Sequence, residues 1–168
     1  MHDVACRLVD GIQNAFPDLE LDSKSVFFGA ATHDIGKSIE IEELVAPGKS
    51  HEARGADLMK KLGVPEEYAR FTQSHGNWDD NPAIQIEDLL VALADNCWKG
   101  KRVSELETKA VNAIAGTSGK AHWEVFTALD DILAELAADA DSRLAWQAQF
   151  PVALKTAHSG SIHGNENP

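Results

Sequence analysis

The sequence predicts an all-α fold, and two observations favour this prediction. Apolar residues near the start of the chain recur at spacings of three and four, as one face of an amphipathic helix requires, at Ala5, Leu8, Val9, Ile12 and Phe16. Similar apolar segments follow along the chain, and residues typical of helix ends separate them. The chain has 168 residues and is 43% hydrophobic, which is enough for one domain with a substantial core.

The first two helices have clear boundary signals. The first is expected to end before Pro17, since proline is common just beyond a helix. Asp22 or Ser23 can cap the second, which we expect to run to about Asp34. Gly36 then suits the left-handed backbone position that often follows a helix.

The next segment predicts shorter helices. A short acidic helix is expected over residues 39–45, followed by a turn at residues 47–48. Ser50 can cap a helix that carries His51 in its first turn and that ends at Gly63. A further helix is expected to begin at residues 65–67 and to reach about Ser74.

The second half of the chain predicts a loop and then longer helices. Residues 76–86 are expected to form a long loop, a candidate lid or substrate rim. Residues 87–98 predict a buried helix, residues 104–115 predict another, and residues 117–119 separate it from a long amphipathic helix. That amphipathic helix carries Trp123, Phe126, Leu129, Ile132, Leu133 and Leu136.

The C-terminal region is expected to pack on the same domain. A last helical stretch reaches Phe150 and is interrupted by Pro151. We therefore expect a helical core over residues 1–116, additional C-terminal helices over residues 117–157, and a disordered tail rich in Gly, Ser and Asn over residues 158–168.

Composition narrows the classes of function. The formal net charge of −12 argues against a broad nucleic-acid surface, because such surfaces need clustered basic residues. No apolar run approaches the roughly 20 residues of a membrane helix, and the start of the chain lacks a signal-peptide pattern, so a cytoplasmic location is expected. Cys6 and Cys97 do not suggest a disulfide framework and are expected to be reduced core residues. The sequence is compatible with a homodimer.

One adjacent pair, His33 and Asp34, is the most informative feature of the sequence. The apolar residues 26–31 that precede this pair predict a buried helix, and a buried carboxylate or imidazole is costly unless it is paired or bound to a metal. Additional His and Asp residues lie at helical positions elsewhere, and together they form a plausible metal cluster: His2, His51, His75 and Asp95.

This pattern resembles the HD-domain metal-dependent phosphohydrolases of the His-Asp-Ile-Gly type. The resemblance covers roughly residues 2–102 and rests on His2, His33-Asp34-Ile35-Gly36-Lys37, His51-Glu52-Ala53-Arg54-Gly55, His75-Gly76-Asn77 and Ala94-Asp95. It implies a compact helical bundle. Family members usually have a helix before the first His, so a site more open than usual is expected here.

The resemblance also implies two divalent transition metals. One would be held by His2, His33, Asp34 and Asp95, and the other by Asp34, His51 and His75, with Asp34 as the bridge. Imidazoles and carboxylates suit Fe, Mn, Co, Ni or Zn, and Fe is the metal that we expect first. Asp34 and Lys37 are the expected catalytic residues.

Other polar residues are candidates for binding a small phosphorylated substrate: Lys37, Arg54, Asn77, Trp78, Lys99 and Arg102. Most of them have a simpler alternative, and Arg54 could face solvent. Lys37 could stabilise a helix end, Lys99 and Arg102 could be solvated, and Trp78 could be a packing anchor. The remaining histidines, at 122, 158 and 163, are expected to be exposed.

Three functions fit the pattern. The first is hydrolysis of a phosphate ester of a nucleotide or similar small molecule by a metal-activated water. The second is a mixed-valent di-iron oxygenase on the same scaffold, acting on a phosphonate or polyol, which the single His75 suits. The third is a non-catalytic ligand sensor, against which the complete ligand set argues. The pattern does not fit a cyclic-dinucleotide phosphodiesterase, because the two adjacent His and the Gly-Tyr-Pro motif typical of that subclass are absent.

Overall fold

The computed structural model describes residues 1–152, and its regular structure over these residues is entirely helical. This confirms the predicted all-α fold. The helices are α1 (His2–Ala15), α2 (Ser23–Thr32), α3 (Ser50–Lys61), α4 (Glu66–Ala69), α5 (Phe71–Ser74), α6 (Ile86–Trp98), α7 (Ser104–Ser118), α8 (His122–Ala138) and α9 (Ala140–Gln147), with short 3₁₀ helices at Ile35–Ser38 and Ile41–Leu44. The predicted tail at residues 158–168, with His158 and His163, lies outside the described residues.

Helix α6 is the centre of the fold. Its residues from Asp88 to Ala94 are all buried, as expected for a helix that is apolar on every side. Helices α1, α2, α5, α7 and α8 pack around it. Asp95 follows this buried segment directly, so α6 holds that carboxylate on a rigid element.

Helices α1 and α2 form as their sequences predict. The buried face of α1 consists of Val4, Ala5, Leu8, Val9 and Ile12. Asp22 is the N-cap of α2, and its carboxylate accepts a hydrogen bond from the Ser25 backbone N–H at 3.1 Å. The helix ends at Thr32, so His33 and Asp34 lie in the turn that follows it.

Two predicted helix-end roles are wrong. Gly36 does not have a left-handed backbone; it lies inside the first 3₁₀ helix, where a Cβ would overlap the carbonyl oxygen of His51. The glycine is therefore needed for close approach to α3. Ser50 does not cap α3 either, since it is the first helical residue and Lys49 has no capping hydrogen bond from its side chain.

The C-terminal helices differ in detail from prediction. Helix α7 continues through Thr117 and Ser118, so the predicted boundary at residue 116 falls inside a helix, while the division into core and C-terminal helices stays a prediction. In α8, Trp123 and Phe126 are 70% and 53% exposed, because the buried face is formed by Val125, Leu129, Leu133 and Leu136. Cys97 is buried as expected, and Cys6 is half-buried. None of the helices in residues 1–152 is long and apolar enough to cross a membrane.

Asp88 joins the short helix α5 to the central helix. Its side chain is 2% exposed and accepts hydrogen bonds from Arg70 Nε at 3.0 Å, from Ser74 Oγ at 2.6 Å and from the Gln85 backbone N–H at 3.1 Å. Ser74 immediately precedes His75. This buried carboxylate therefore fixes the end of α5 and the residue that follows it.

Replacing Asp88 with Asn should lower the free energy of unfolding by about 1.5–3 kcal/mol, the usual contribution of a hydrogen bond to a charged group. Urea denaturation measures this change. The matched control is Asp80→Asn, since Asp80 is exposed in the loop before α6. A change of less than about 0.5 kcal/mol is expected for the control. Equal effects of the two substitutions would contradict the assigned role of Asp88.

Candidate metal centre

Asp34 lies at the point where three helical elements converge. It follows α2 and is the N-cap of the first 3₁₀ helix. Its Oδ1 atom is 3.2 Å from His51 Nε2, at the start of α3, and 3.8 Å from His75 Nε2, at the end of α5. One ligand atom from each of these three residues lies within 4.8 Å of the others. A single metal ion fits such a group of two imidazoles and one carboxylate.

The other oxygen of Asp34 faces a second group of ligand atoms. His33 Nε2 is 3.4 Å from Asp34 Oδ2 and 3.5 Å from Asp95 Oδ1. The ring of His33 also contacts the ring of His75 edge-on, with centroids 4.9 Å apart. The two oxygens of one carboxylate thus face two sets of candidate ligands, and Asp34 is common to both.

The far nitrogen of each imidazole is held by an acceptor. His33 Nδ1 donates to the Ala30 carbonyl at 3.1 Å, and His75 Nδ1 donates to the Phe71 carbonyl at 3.0 Å. His51 Nδ1 donates to the Glu43 carboxylate at 2.5 Å. Because these acceptors require hydrogen on Nδ1, the Nε2 atoms are directed at Asp34, which is how proteins orient histidine ligands for a metal.

The surroundings of His51 Nε2 test whether a cation fits. This atom is buried and has no hydrogen-bond partner among the residues that the structure describes, although Asp34 Oδ1 is nearby. When Nδ1 carries the only ring hydrogen, Nε2 directs a lone pair at a carboxylate oxygen. A buried acceptor that faces another acceptor is unfavourable unless a cation or a proton lies between them. The donor set therefore fits a divalent metal.

Glu43 is a functional residue that the sequence reasoning missed. Besides His51 Nδ1, its carboxylate accepts hydrogen bonds from the backbone N–H groups of Ser50 at 2.9 Å and His51 at 3.1 Å. It therefore caps α3, the role predicted for Ser50. Although desolvation opposes ionisation, the hydrogen bonds from His51 and Ser50 lower the pKa of Glu43 below its ordinary value. Its position in a short acidic segment was the only available signal.

The pKa values of His33 and His75, whose rings are in contact, shift in opposite directions. Burial opposes a charge on His33, but hydrogen bonds to Asp34 and Asp95 raise its pKa to about 9. Burial and the positive charge of His33 lower the pKa of His75 to about 4. His33 therefore brings positive charge to these carboxylates, and a bound cation would replace its proton.

The carboxylates are held in the ionised form. Despite burial, His33 and Lys37 hold the pKa of Asp34 far below its usual range. Burial is similarly outweighed at Asp95, where His33 and Lys99 lower the pKa to about 2. The two lysines contact them directly, since Lys37 Nζ is 2.7 Å from Asp34 Oδ2 and Lys99 Nζ is 2.6 Å from Asp95 Oδ2.

His2 makes no hydrogen bond, ion pair or ring contact with this group of side chains among residues 1–152. It is exposed on α1, its ring lies 5.8 Å from the ring of Phe27, and its Nδ1 atom is 3.7 Å from Cys6 Sγ. Its role as a metal ligand stays a prediction. His122 is exposed at the start of α8, as expected.

The predicted substrate-binding residues divide into two sets. Lys37 and Lys99 line a cleft of about 390 Å³ over His33, Asp34 and Asp95. The others do not line it, because they are used in contacts elsewhere. Arg54 pairs with Glu40, Asn77 donates to Glu52, Arg102 pairs with Glu107 and Asp130, and Trp78 packs on the core beneath Lys109.

The loop before α6 is attached to α7. Lys109 Nζ donates to the Asp79 carbonyl at 2.8 Å and is 2.9 Å from the Asp79 carboxylate. The same ammonium group lies 5.6 Å from the centre of the Trp78 ring. Trp78 is therefore a packing anchor in this structure, and the loop is fastened beside it.

Comparison with known proteins identifies the family of this chain. A model of the HD domain family matches residues 3–98, which make up more than half of the chain and include His33, Asp34, His51, His75 and Asp95. No curated protein and no solved structure matches the chain at a significant level. The chain therefore belongs to the HD domain family, a superfamily of metal-dependent hydrolases.

Proposed function

We propose that this protein is a metal-dependent phosphohydrolase that cleaves a phosphate ester of a nucleotide or similar small molecule. The single observation that carries the proposal is the position of Asp34. Its Oδ1 atom faces His51 and His75, while its Oδ2 atom faces His33 near Asp95. A carboxylate placed between two ligand sets suits a binuclear centre, and such centres are common in phosphate-ester hydrolysis.

When bound, two divalent metal ions would neutralise phosphate oxygens and lower the pKa of a shared water. Asp34 would hold both ions, with His51 and His75 on one side and His33 and Asp95 on the other. Lys37, at the edge of the same cleft, offers a positive charge to a phosphate oxygen. The ligand set favours iron or another first-row metal, and we propose iron first, with Mn, Co, Ni or Zn as alternatives.

A mixed-valent di-iron oxygenase is the second candidate. The same candidate ligands, with His2 as the sixth, could hold two irons, and the single imidazole of His75, followed by Gly76, favours this candidate. Its substrate would be a small polar molecule such as a phosphonate or polyol. A dependence of turnover on oxygen separates the two reactions.

We predict about two transition-metal ions per chain and their joint loss in Asp34→Ala, because Asp34 is shared by both ligand sets. Substitution of His51 by Ala should instead weaken the binding of one ion more than that of the other. Elemental analysis after gel filtration measures both results. The control is Asp18→Ala, since Asp18 is exposed. Full retention of both ions by Asp34→Ala would rule out the shared carboxylate.

We also predict that Glu43→Gln weakens binding of one metal ion by about 10–100-fold, the usual effect of losing a carboxylate that orients a histidine ligand. Titration calorimetry with Mn²⁺ measures the affinity directly. Glu42→Gln is the matched control, because Glu42 is the exposed neighbour in the same 3₁₀ helix. Identical affinities for the two variants would show that Glu43 only caps α3.

Lys37→Ala tests the reaction class. It should leave the metal content intact and lower kcat/KM for a phosphate ester by roughly ten- to a hundredfold, since a contact with a charged group contributes about 1.5–3 kcal/mol. Lys120→Ala is the control, because Lys120 is exposed far along the chain, before α8.

Activity should be assayed over nucleotide mono- and diphosphates, first under argon and then in air. Phosphate release without oxygen is the expected result. Turnover that strictly requires oxygen and reduced iron would overturn the hydrolase in favour of the oxygenase.

A further inference from the structure

Helix α9 lies beyond the segment matched by the family model and is fixed to the end of α6 by one arginine. Arg143 Nε donates to the Trp98 carbonyl at 3.2 Å, and its Nη2 atom donates to the carbonyls of Cys97 at 2.8 Å and Leu136 at 2.7 Å. These are last-turn carbonyls of α6 and α8, which a guanidinium satisfies well. Helix α9 is therefore held in a defined position.

A close contact at the start of α9 adds to this attachment. Gly100, just after α6, has a φ of 72°, and a Cβ there would lie 2.8 Å from the Cβ of buried Ala140. Only glycine gives both the left-handed backbone and the space. The end of α6 and the beginning of α9 are thus packed together beside Asp95.

This attachment places part of α9 at the candidate site. Leu144 and Gln147, three residues apart on one face of α9, line the same cleft as Asp34 and Lys37. Asp95 and Trp98, three residues apart on α6, and Lys99, which directly follows this helix, also line this cleft. The cleft volume of about 390 Å³ lies within the range of small-molecule sites.

The cleft therefore combines two kinds of surface. Lys37 and Lys99 supply positive charge next to the candidate metal ligands, where a phosphate would bind. Trp98 and Leu144 supply an aromatic and an aliphatic surface, and the amide of Gln147 can both donate and accept a hydrogen bond. A flat ring with polar edge atoms matches the second surface.

We propose that Trp98, Leu144 and Gln147 form a subsite for the leaving group of the phosphate ester, and that this group carries a planar ring with hydrogen-bonding atoms. The inference rests on the proposed hydrolase function and narrows its substrates. Esters whose leaving group carries an aromatic or heteroaromatic ring are preferred over esters of small polyols. The subsite lies outside the metal ligands, so it selects substrates without holding the metals.

The test compares AMP with glycerol 3-phosphate. Both are phosphate monoesters, but only AMP carries a planar aromatic ring. Leu144→Ala and Gln147→Ala should each lower kcat/KM for AMP by about tenfold, as expected for a lost pocket contact. The value for glycerol 3-phosphate should change less than about twofold. Gln149→Ala is the matched control, since Gln149 is exposed just past α9 and does not line the cleft.

Two further measurements test whether the substitutions act only on substrate binding. Metal content and thermal stability should be unchanged in all three variants, because Leu144 and Gln147 lie at the exposed surface and not in the core. Binding of AMP to the metal-loaded protein, measured by calorimetry, should weaken by the same factor in Leu144→Ala and Gln147→Ala. If the protein does not hydrolyse AMP but binds it, and if both substitutions weaken that binding, the hydrolase function is rejected and the subsite is supported.

The inference is overturned by any of three results. These are equal losses of kcat/KM for AMP and glycerol 3-phosphate, no change of kcat/KM for either ester, or no measurable binding of AMP to the metal-loaded protein.

Discussion

The carboxylate of Asp34 is surrounded by the imidazoles of His33, His51 and His75, and contacts from several helices hold these side chains in position. Each ring is fixed at Nδ1 by an acceptor, so its Nε2 atom faces the carboxylate. When Nδ1 carries the only ring hydrogen, the buried Nε2 atom of His51 is an acceptor that faces Asp34 Oδ1, which is unfavourable without a cation or a proton between them. The positions of these side chains therefore favour a positive charge at the centre of the group.

The fold supplies that arrangement through a few local constraints. Gly36 allows the 3₁₀ helix after Asp34 to approach the first turn of α3, and Glu43 caps that turn while it holds His51. Asp88 fixes the end of α5 beside His75. The buried helix α6 provides the rigid support for Asp95 and, through Arg143, for α9. These constraints hold the ligand groups in place before any ion binds, which is the general requirement for a precise metal site.

Much of this organisation could be predicted from the sequence, because helix periodicity and end signals are local. The positions of α1, α2 and α6 follow from such signals. The grouping of His33, Asp34, His51, His75 and Asp95 follows instead from the resemblance to the family. Contacts across turns could not be predicted in the same way. Glu43 acts seven and eight residues before the groups it binds, and Gly36 is required by a carbonyl fifteen residues away. Arg102 looks like a substrate ligand from its basic neighbours, but in the folded chain Glu107 and Asp130 bind it.

The most direct measurement is anomalous X-ray diffraction from crystals of the metal-loaded protein, collected on both sides of the absorption edge of the bound metal. Two anomalous peaks are expected, one contacted by Asp34, His51 and His75 and the other by Asp34, His33 and Asp95. The same maps would show whether His2 moves to complete the second set. Absence of any peak within bonding distance of Asp34, in crystals whose metal content has been verified by elemental analysis, would contradict the assignment of this cluster as a metal centre.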